Sequence, residues 1–273
     1  MCQRLLAMVL LAATSGCDRK AADAPAAVAA PMEVAFDGAN VKDAAARLAH
    51  GKRIGWALGC HGCHGKDLDG HRFYEAYASN LTRDLAAYSD QQIEHVLRVG
   101  ERSSGKPLWG MPSEVFQHLS DADMTALIAD LRSLKPKGGP TQAMLPFEAE
   151  TKELIASGKF KPAADFVKEW KHKRPVDLGP EYAQGRYIAS VTCAECHGSA
   201  LQGDPGFTPD LIVAGAYSRE EFETLLTEGK LPGGRKFKNP LMGEVAVSRF
   251  THFTPHERDA LYAYLKARAE LPQ

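Results

Sequence analysis

The sequence predicts an all-α fold in which two tandem helical units are joined by a partly helical linker. The first observation is an internal repeat, because residues 51–54 (GKRI) recur as residues 185–188 (GRYI). Each copy precedes a C-x-x-C-H sequence at nearly the same distance. The second observation is a set of helix start and stop signals at matching places in both copies. A chain of 273 residues also suits two domains of about 100 residues with connections.

Capping signals place the middle and last helices of each unit. The start pairs of the middle helices are Ser89/Gln92 and Ser218/Glu221, and the stop residues are Gly100 and Gly229. The start pairs of the last helices are Ser120/Asp123 and Thr254/Glu257. In these last helices, Leu127/Leu131 and Leu261/Leu265 keep a four-residue spacing that is typical of one buried helix face.

Composition narrows the class of protein. Hydrophobic residues make up 44% and charged residues 25%, which is typical of soluble globular domains and excludes a multi-span membrane protein. The 33 Lys and Arg residues are balanced by 34 Asp and Glu residues. Nucleic acid is therefore not expected as a partner, since such binding depends on an excess of positive charge.

Residues 1–17 are predicted to be a lipoprotein-type signal peptide ending at a lipid-attachment cysteine. Arg4 precedes an apolar run at residues 5–13, which is too short to span a bilayer, and small residues lead to Cys17. This ending resembles the lipobox of bacterial lipoproteins, although Thr14 stands where that family usually has Leu. The alternative is simple secretion, with cleavage in the Ala-rich stretch around residues 22–24. Either route predicts a periplasmic protein, and the lipid would attach it to a membrane.

The remaining boundaries follow from composition and from the repeat. Residues 18–38 are rich in Ala and Pro and are predicted to be a disordered tether. The first unit is predicted at residues 39–135, the linker at 136–178 and the second unit at 179–273. Apolar residues and helical stretches between Glu148 and Trp170 predict that the linker packs across both units.

The cysteines indicate which cofactor the chain binds. Cys2 leaves with the signal peptide and Cys17 takes the lipid, so four thiols remain in two C-x-x-C-H motifs. These motifs are Cys60, Cys63 and His64 in the first unit, and Cys193, Cys196 and His197 in the second. The pattern is the attachment signature of c-type haem, in which two thiols bond one porphyrin edge and the adjacent imidazole binds iron. A thioredoxin-like dithiol would not need the histidine, and zinc knuckles rarely lie this far apart.

One methionine in each unit lies between the stop glycine and the last helix. Met111 and Met242 are therefore the candidates for the sixth iron ligand, and a thioether there favours ferrous iron. His118 and His252 occupy equivalent repeat positions two residues before the last helix. They are interpreted as loop histidines, with axial ligation as the alternative.

Each unit resembles a class I cytochrome c domain, over about residues 40–135 and 180–270. In that family a Gly-Pro-Asn-Leu-like stretch follows the iron-binding histidine, and a carbonyl of this stretch accepts the imidazole N–H. Residues 208–211 (TPDL) match that stretch, whereas residues 78–81 (ASNL) lack its proline. The run from Leu119 to Leu134 is also similar to the cytochrome subunits of bacterial membrane-associated dehydrogenases.

The resemblance implies two covalent haem c groups per chain and an electron carrier, not an enzyme. Its expected partners are redox proteins: a dehydrogenase, a quinol-oxidising complex or a terminal oxidase. The alternative is a dihaem cytochrome enzyme, of the peroxidase or thiosulfate-oxidising type, with one open haem. Such an enzyme needs an open sixth position, and a candidate methionine in both units disfavours it.

Overall fold

The computed structural model describes residues 33–73, 75–237 and 239–272, and these residues are mainly helical. The all-α prediction is confirmed, although the described residues also contain a short antiparallel hairpin. Its strands are β1 (His71–Phe73) and β2 (Ala76–Ala78), with Arg72 opposite Tyr77. The predicted signal peptide and Cys17 lie outside the described residues. No helix among the described residues is both long and apolar enough to cross a membrane.

The helices repeat in the order that the sequence predicts. The first unit contains α1 (Ala44–Ala57), α2 (Cys60–Cys63), α3 (Leu81–Asp84), α4 (Asp90–Val99), α5 (Ser113–Phe116) and α6 (Asp121–Ser133). The linker contains α7 (Ala149–Ala156) and α8 (Ala163–Trp170). The second unit contains α9 (Ala183–Ile188), α10 (Ala194–His197), α11 (Arg219–Glu228), α12 (Leu241–Arg249) and α13 (Pro255–Ala269).

The first and last helices of each unit cross so closely that only glycine fits. A Cβ atom on Gly51 of α1 would lie 1.9 Å from the carbonyl oxygen of Ala126 in α6. A Cβ atom on Gly185 of α9 would lie 2.1 Å from the carbonyl oxygen of Ala260 in α13. The repeated glycine is therefore a packing requirement, because it lets the helix that leads into each C-x-x-C-H motif pack closely against the last helix of its own unit.

Two buried carboxylates join the units reciprocally. Arg53 of the first unit donates bidentate hydrogen bonds of 2.7 and 2.9 Å to Glu257 at the start of α13. Tyr187, at the same repeat position in the second unit, donates a 2.6 Å hydrogen bond to Asp123 at the start of α6. Both carboxylates are fully buried. The two units therefore pack as one body, with each last helix receiving a partner from the opposite unit.

Residues 33–38, predicted as the end of the tether, instead pack against both units. Phe36 is 2% exposed, and its backbone N–H donates to Asp123. The backbone N–H of Asp37 donates to Glu257. This segment therefore bridges the same two carboxylates that join the units, and the folded part of the chain begins before the predicted boundary.

The linker packs on both units, as predicted. The N–H of Ala163 donates to the carbonyl of Leu108 in the first unit, at 2.8 Å. The hydroxyl of Tyr264 in the second unit donates to the carbonyl of Val176, at 2.9 Å. These contacts hold the middle and the C-terminal end of the linker, so it packs on the folded units instead of acting as a flexible spacer.

We predict that Gly185→Ala lowers the free energy of unfolding by about 3 kcal/mol, the upper end of the usual cost of overpacking. The new methyl group would meet a backbone oxygen, which cannot move aside as a side chain can. Denaturant unfolding of the matured protein measures the change. Gly139→Ala is the control, because nothing lies within 4 Å of its new methyl group. Equal stability of the two variants would contradict the prediction.

We predict that Arg53→Met lowers the free energy of unfolding by about 3–5 kcal/mol, because it leaves the buried Glu257 carboxylate without its cation. Lys230→Met breaks an ion pair with Glu228 in which both side chains are exposed, and it should cost far less, because water screens both charges. Thermal or chemical unfolding compares the two variants. A loss in Arg53→Met no larger than that of the control would show that Glu257 does not depend on this contact.

Candidate haem-binding sites

The first motif lies at the end of α1, where the chain turns sharply. Gly59 adopts the left-handed conformation, with φ of 85°, and α2 then carries Cys60 and Cys63. Both thiols are free, and His64 directly after them is buried. The His64 Nδ1 atom lies 2.8 Å from the carbonyl oxygen of Ser79. This contact makes Nδ1 the donor and leaves Nε2 with the lone pair that a metal needs.

The second motif is reached along a continuous helix. Eight positions separate Gly185 from Cys193, against nine between Gly51 and Cys60. A π-helical turn, Ala189–Cys193, connects α9 to α10 where the first unit has its glycine turn. The environment of His197 nevertheless matches that of His64, because His197 is buried and its Nδ1 lies 2.8 Å from the carbonyl oxygen of Pro209.

Both histidine contacts match the carbonyl contact that the resemblance implies, although the first unit lacks the proline. In the first unit, hydrogen bonds of the next residue hold the Ser79 carbonyl in place. The next residue, Asn80, is fully buried, and its amide donates to the carbonyls of Lys137 and Gly139. The backbone N–H of Asn80 donates to the Thr141 hydroxyl at 2.8 Å. The start of the linker thus supplies the rigidity that proline supplies in the second unit.

The two candidate methionines have different support from the structure. Met111 lines one cavity together with Cys60, Cys63 and His64. The apolar side chains of Leu108 and Phe116 also line it. Met242 is half-buried as the second residue of α12 and packs against the core. The assignment of Met111 therefore rests on a shared cavity, while that of Met242 rests on the repeat.

Burial sets the protonation of the motif side chains. It raises the pKa of Cys60 and Cys196 to about 12 and that of Cys193 to about 11. Reactive dithiols need a lowered thiol pKa, so the redox-dithiol alternative is disfavoured. Burial also lowers the pKa of His64 and His197, although their carbonyl contacts oppose the change. Neutral imidazoles are the form that binds iron.

The zinc alternative and the alternative axial ligands lack support. Among the residues that the structure describes, no three His, Cys, Asp or Glu side chains are grouped as metal ligands would be. The Nδ1 of His118 accepts from Arg174 of the linker at 2.8 Å. The ring of His252 stacks on Trp56, with centroids 5.2 Å apart. Unpaired thiols, a histidine with Nε2 available and a methionine lie in one cavity with apolar side chains, and these residues fit haem c at the first site. The second motif offers the same donors.

We predict that Asn80→Ala raises the reduction potential of the first haem and leaves that of the second unchanged. Loosening the Ser79 carbonyl weakens the bond that makes His64 a stronger electron donor to iron. The lost amide contacts should also cost about 1–3 kcal/mol of stability. A potentiometric titration resolves the two haems. Gln142→Ala, at a neighbouring exposed residue, is the control and should alter neither property. Equal shifts at both haems would contradict this role of Asn80.

Known proteins are similar to this chain over its repeated units. The cytochrome c family profile matches twice, at residues 48–135 and 182–269. The cbb3-type cytochrome c oxidase subunit CcoP of Helicobacter pylori (strain 52) is 32% identical over 87 residues, which are 32% of this chain and 27% of that protein. The fructose dehydrogenase cytochrome subunit of Gluconobacter japonicus is 25% identical over 143 residues, which are 50% of this chain and 28% of that protein.

The aligned part covers less than a third of the length of either relative, so these similarities apply to domains and not to the whole proteins. The family match is more extensive. Its two segments make up more than half of the chain, and each contains one C-x-x-C-H motif with a buried histidine. The chain belongs to the cytochrome c family, whose domains hold haem c covalently.

Proposed function

We propose that this chain is a dihaem c-type cytochrome that carries single electrons in a periplasmic respiratory or dehydrogenase-linked chain. The observation that carries the proposal is the same in both units. A buried histidine follows two unpaired thiols, and a backbone carbonyl 2.8 Å from its Nδ1 leaves Nε2 available. Each motif would hold one haem c, giving two per chain.

The chain's own side chains would bind the haem and set its reduction potential. Haem iron supplies the one-electron chemistry by alternating between the ferric and ferrous states. Cys60 and Cys63, like Cys193 and Cys196, would bond the porphyrin edge. His64 and His197 would bind iron, and Met111 and Met242 would be its remaining protein ligands. Leu108 and Phe116 beside Met111 would limit the access of water, and a thioether ligand would favour the ferrous state.

A carrier is favoured over an enzyme because the sixth position has a candidate ligand in both units. Met111 lines the cavity of the first motif, and as the sixth ligand it would leave no open coordination position for a substrate there. The dihaem peroxidase or thiosulfate-oxidising alternative would need such a position at one haem. The second haem would be the one with the open position, since Met111 lines the same cavity as its motif and Met242 is assigned from the repeat.

The expected partners are redox proteins. The two relatives are subunits of a terminal oxidase and of a dehydrogenase, which supports partners of those classes or a quinol-oxidising complex. Trp109 lines the first cavity and contacts Phe147 and Phe160 of the linker, with ring centroids 5.0 and 5.1 Å away. Nearby in the linker sequence, Met144 and Leu145 are exposed. This apolar rim would suit docking close to the first haem.

The proposed location is the periplasmic side of a membrane, with lipid on Cys17. The short apolar run and the lipobox-like ending of the first 17 residues support it. Radiolabelled palmitate incorporation into the wild-type protein, compared with Cys17→Ala, tests the anchor. Label in the wild type alone supports it, and label in neither indicates simple secretion.

The deciding experiment is the haem content and the absorption and EPR spectra of the matured, oxidised protein. We expect two haems per chain, both low-spin with His/Met ligation, and no reaction with peroxide. A high-spin haem, or one without methionine ligation, would overturn the carrier proposal in favour of the enzyme.

Met111→Ala should convert the first haem alone to a high-spin or water-ligated form and lower its reduction potential, because the thioether that favours ferrous iron is lost. Spin state and potential are read by EPR and potentiometry. The control, Met124→Leu, changes a methionine buried in α6 and should leave both haems low-spin, at a cost below about 1.5 kcal/mol. An unchanged first haem in Met111→Ala would remove Met111 from the ligand set.

A further inference from the structure

One ion pair lies at the place where the two motifs meet. Arg249, the last residue of α12, donates a 2.5 Å hydrogen bond to the carboxylate of Glu195. Glu195 stands inside the second motif, between Cys193 and Cys196. The side chains of Arg249 and Glu195 are only 13% and 20% exposed. The pair is therefore largely removed from water, where its charges act more strongly on their surroundings.

The same guanidinium lies against the first motif. Gly59 immediately precedes Cys60, and a Cβ atom on Gly59 would be 2.2 Å from the Arg249 Cζ. Arg249 and Glu195 also line the cavity that contains Cys60, Cys63 and His64. A side chain of the second unit therefore completes the wall of the first site, while its carboxylate partner belongs to the second motif.

All four attachment thiols lie within electrostatic reach of Arg249. Burial raises the pKa of Cys60, Cys63, Cys193 and Cys196, and the positive charge of Arg249 opposes that rise at each of them. The cysteines that would hold both porphyrin edges are thus grouped around one cation. A charge placed there acts on two sites at once.

The repeat indicates that packing alone does not require a charge at this position. Arg249 precedes His252 by three residues, and Val115 precedes the equivalent His118 by three. Val115 is fully buried in α5, which packs against the helical segment of the second motif. The first unit thus fills the equivalent contact with an apolar side chain. Burying a guanidinium costs desolvation that valine avoids, so the arginine needs another explanation.

We propose that the Arg249–Glu195 pair is an electrostatic junction that sets the reduction potentials of both haems together, with Arg249 as its positioning residue. The proposal rests on the proposed function, since it needs a haem at each motif. Arg249 favours the reduced state at both sites because a nearby positive charge opposes the additional positive charge of ferric iron. Glu195 has the opposite effect, and the pair balances the two.

This balance predicts that neutralising Glu195 and neutralising Arg249 shift the reduction potentials in opposite directions. Glu195→Gln leaves the arginine charge uncompensated and should raise both reduction potentials. Arg249→Gln leaves the carboxylate uncompensated and should lower both. We expect each reduction equilibrium constant to change about tenfold, which is about 59 mV for a one-electron couple. Arg249→Lys keeps the charge and should stay within about threefold of the wild type.

The matched control is Arg258→Gln. Arg258 is 12% exposed and pairs with Glu223 at 2.8 Å in the same unit, so its burial resembles that of Arg249. Removing it should destabilise the protein while changing each reduction equilibrium by less than about twofold, because Arg258 is not among the charges that act on the attachment thiols. Potentiometric titration of the four matured variants, with thermal unfolding alongside, measures both properties.

The outcomes separate the junction from a merely structural role. Opposite shifts in Glu195→Gln and Arg249→Gln, each at both haems, support it. Shifts of the same sign, shifts at one haem only, or shifts no larger than in Arg258→Gln overturn it. If Arg249→Gln does not mature, a rise of both reduction potentials in Glu195→Gln, with Arg249→Lys close to the wild type, supports the junction. No rise in Glu195→Gln, or a rise at one haem only, overturns it. The proposed function fails separately, on the haem content and spin state of the wild type.

Discussion

Two buried carboxylates fix the arrangement on which both sites depend. Asp123 and Glu257 each begin the last helix of one unit and each accept a hydrogen bond from the other unit, from Tyr187 and Arg53 respectively. A buried carboxylate without its partners is costly, so the units cannot slide or separate cheaply. Because each first helix leads directly into a C-x-x-C-H motif, this fixed register also brings the two motifs next to each other.

Much of the fold and of each candidate site follows from local sequence patterns. The capping boxes at Ser89, Ser218 and Thr254 are present, as the spacing predicts. The motif histidines could be located because cofactor attachment dictates a fixed spacing along one helix. Met111 could be proposed as an iron ligand because the repeat places one methionine in the same loop of each unit. Such features involve residues close in sequence, where helical geometry decides which side chains meet.

Contacts between distant residues could not be predicted in this way. Asp123 was expected to pair with Ser120 in a helix cap, but its carboxylate also accepts from Tyr187 and His50. Asn80 carries no local signal, because the carbonyls that hold it belong to the linker. Phe36 stood in a stretch without helical periodicity, and only the groove between the units makes it a core residue. In each case the partner lies far away in the sequence and is set by tertiary packing.

The reciprocal contacts have the form of an isologous dimer enclosed within one chain. In a dimer of identical subunits every interface residue occurs twice, so a charge buried near the axis would meet its own copy. A single chain removes that restriction, since each half can change alone. Val115 and Arg249 illustrate the result, with an apolar side chain in one half and a cation in the other. Within a single chain this interface can therefore be polar on one side without like charges facing each other across it.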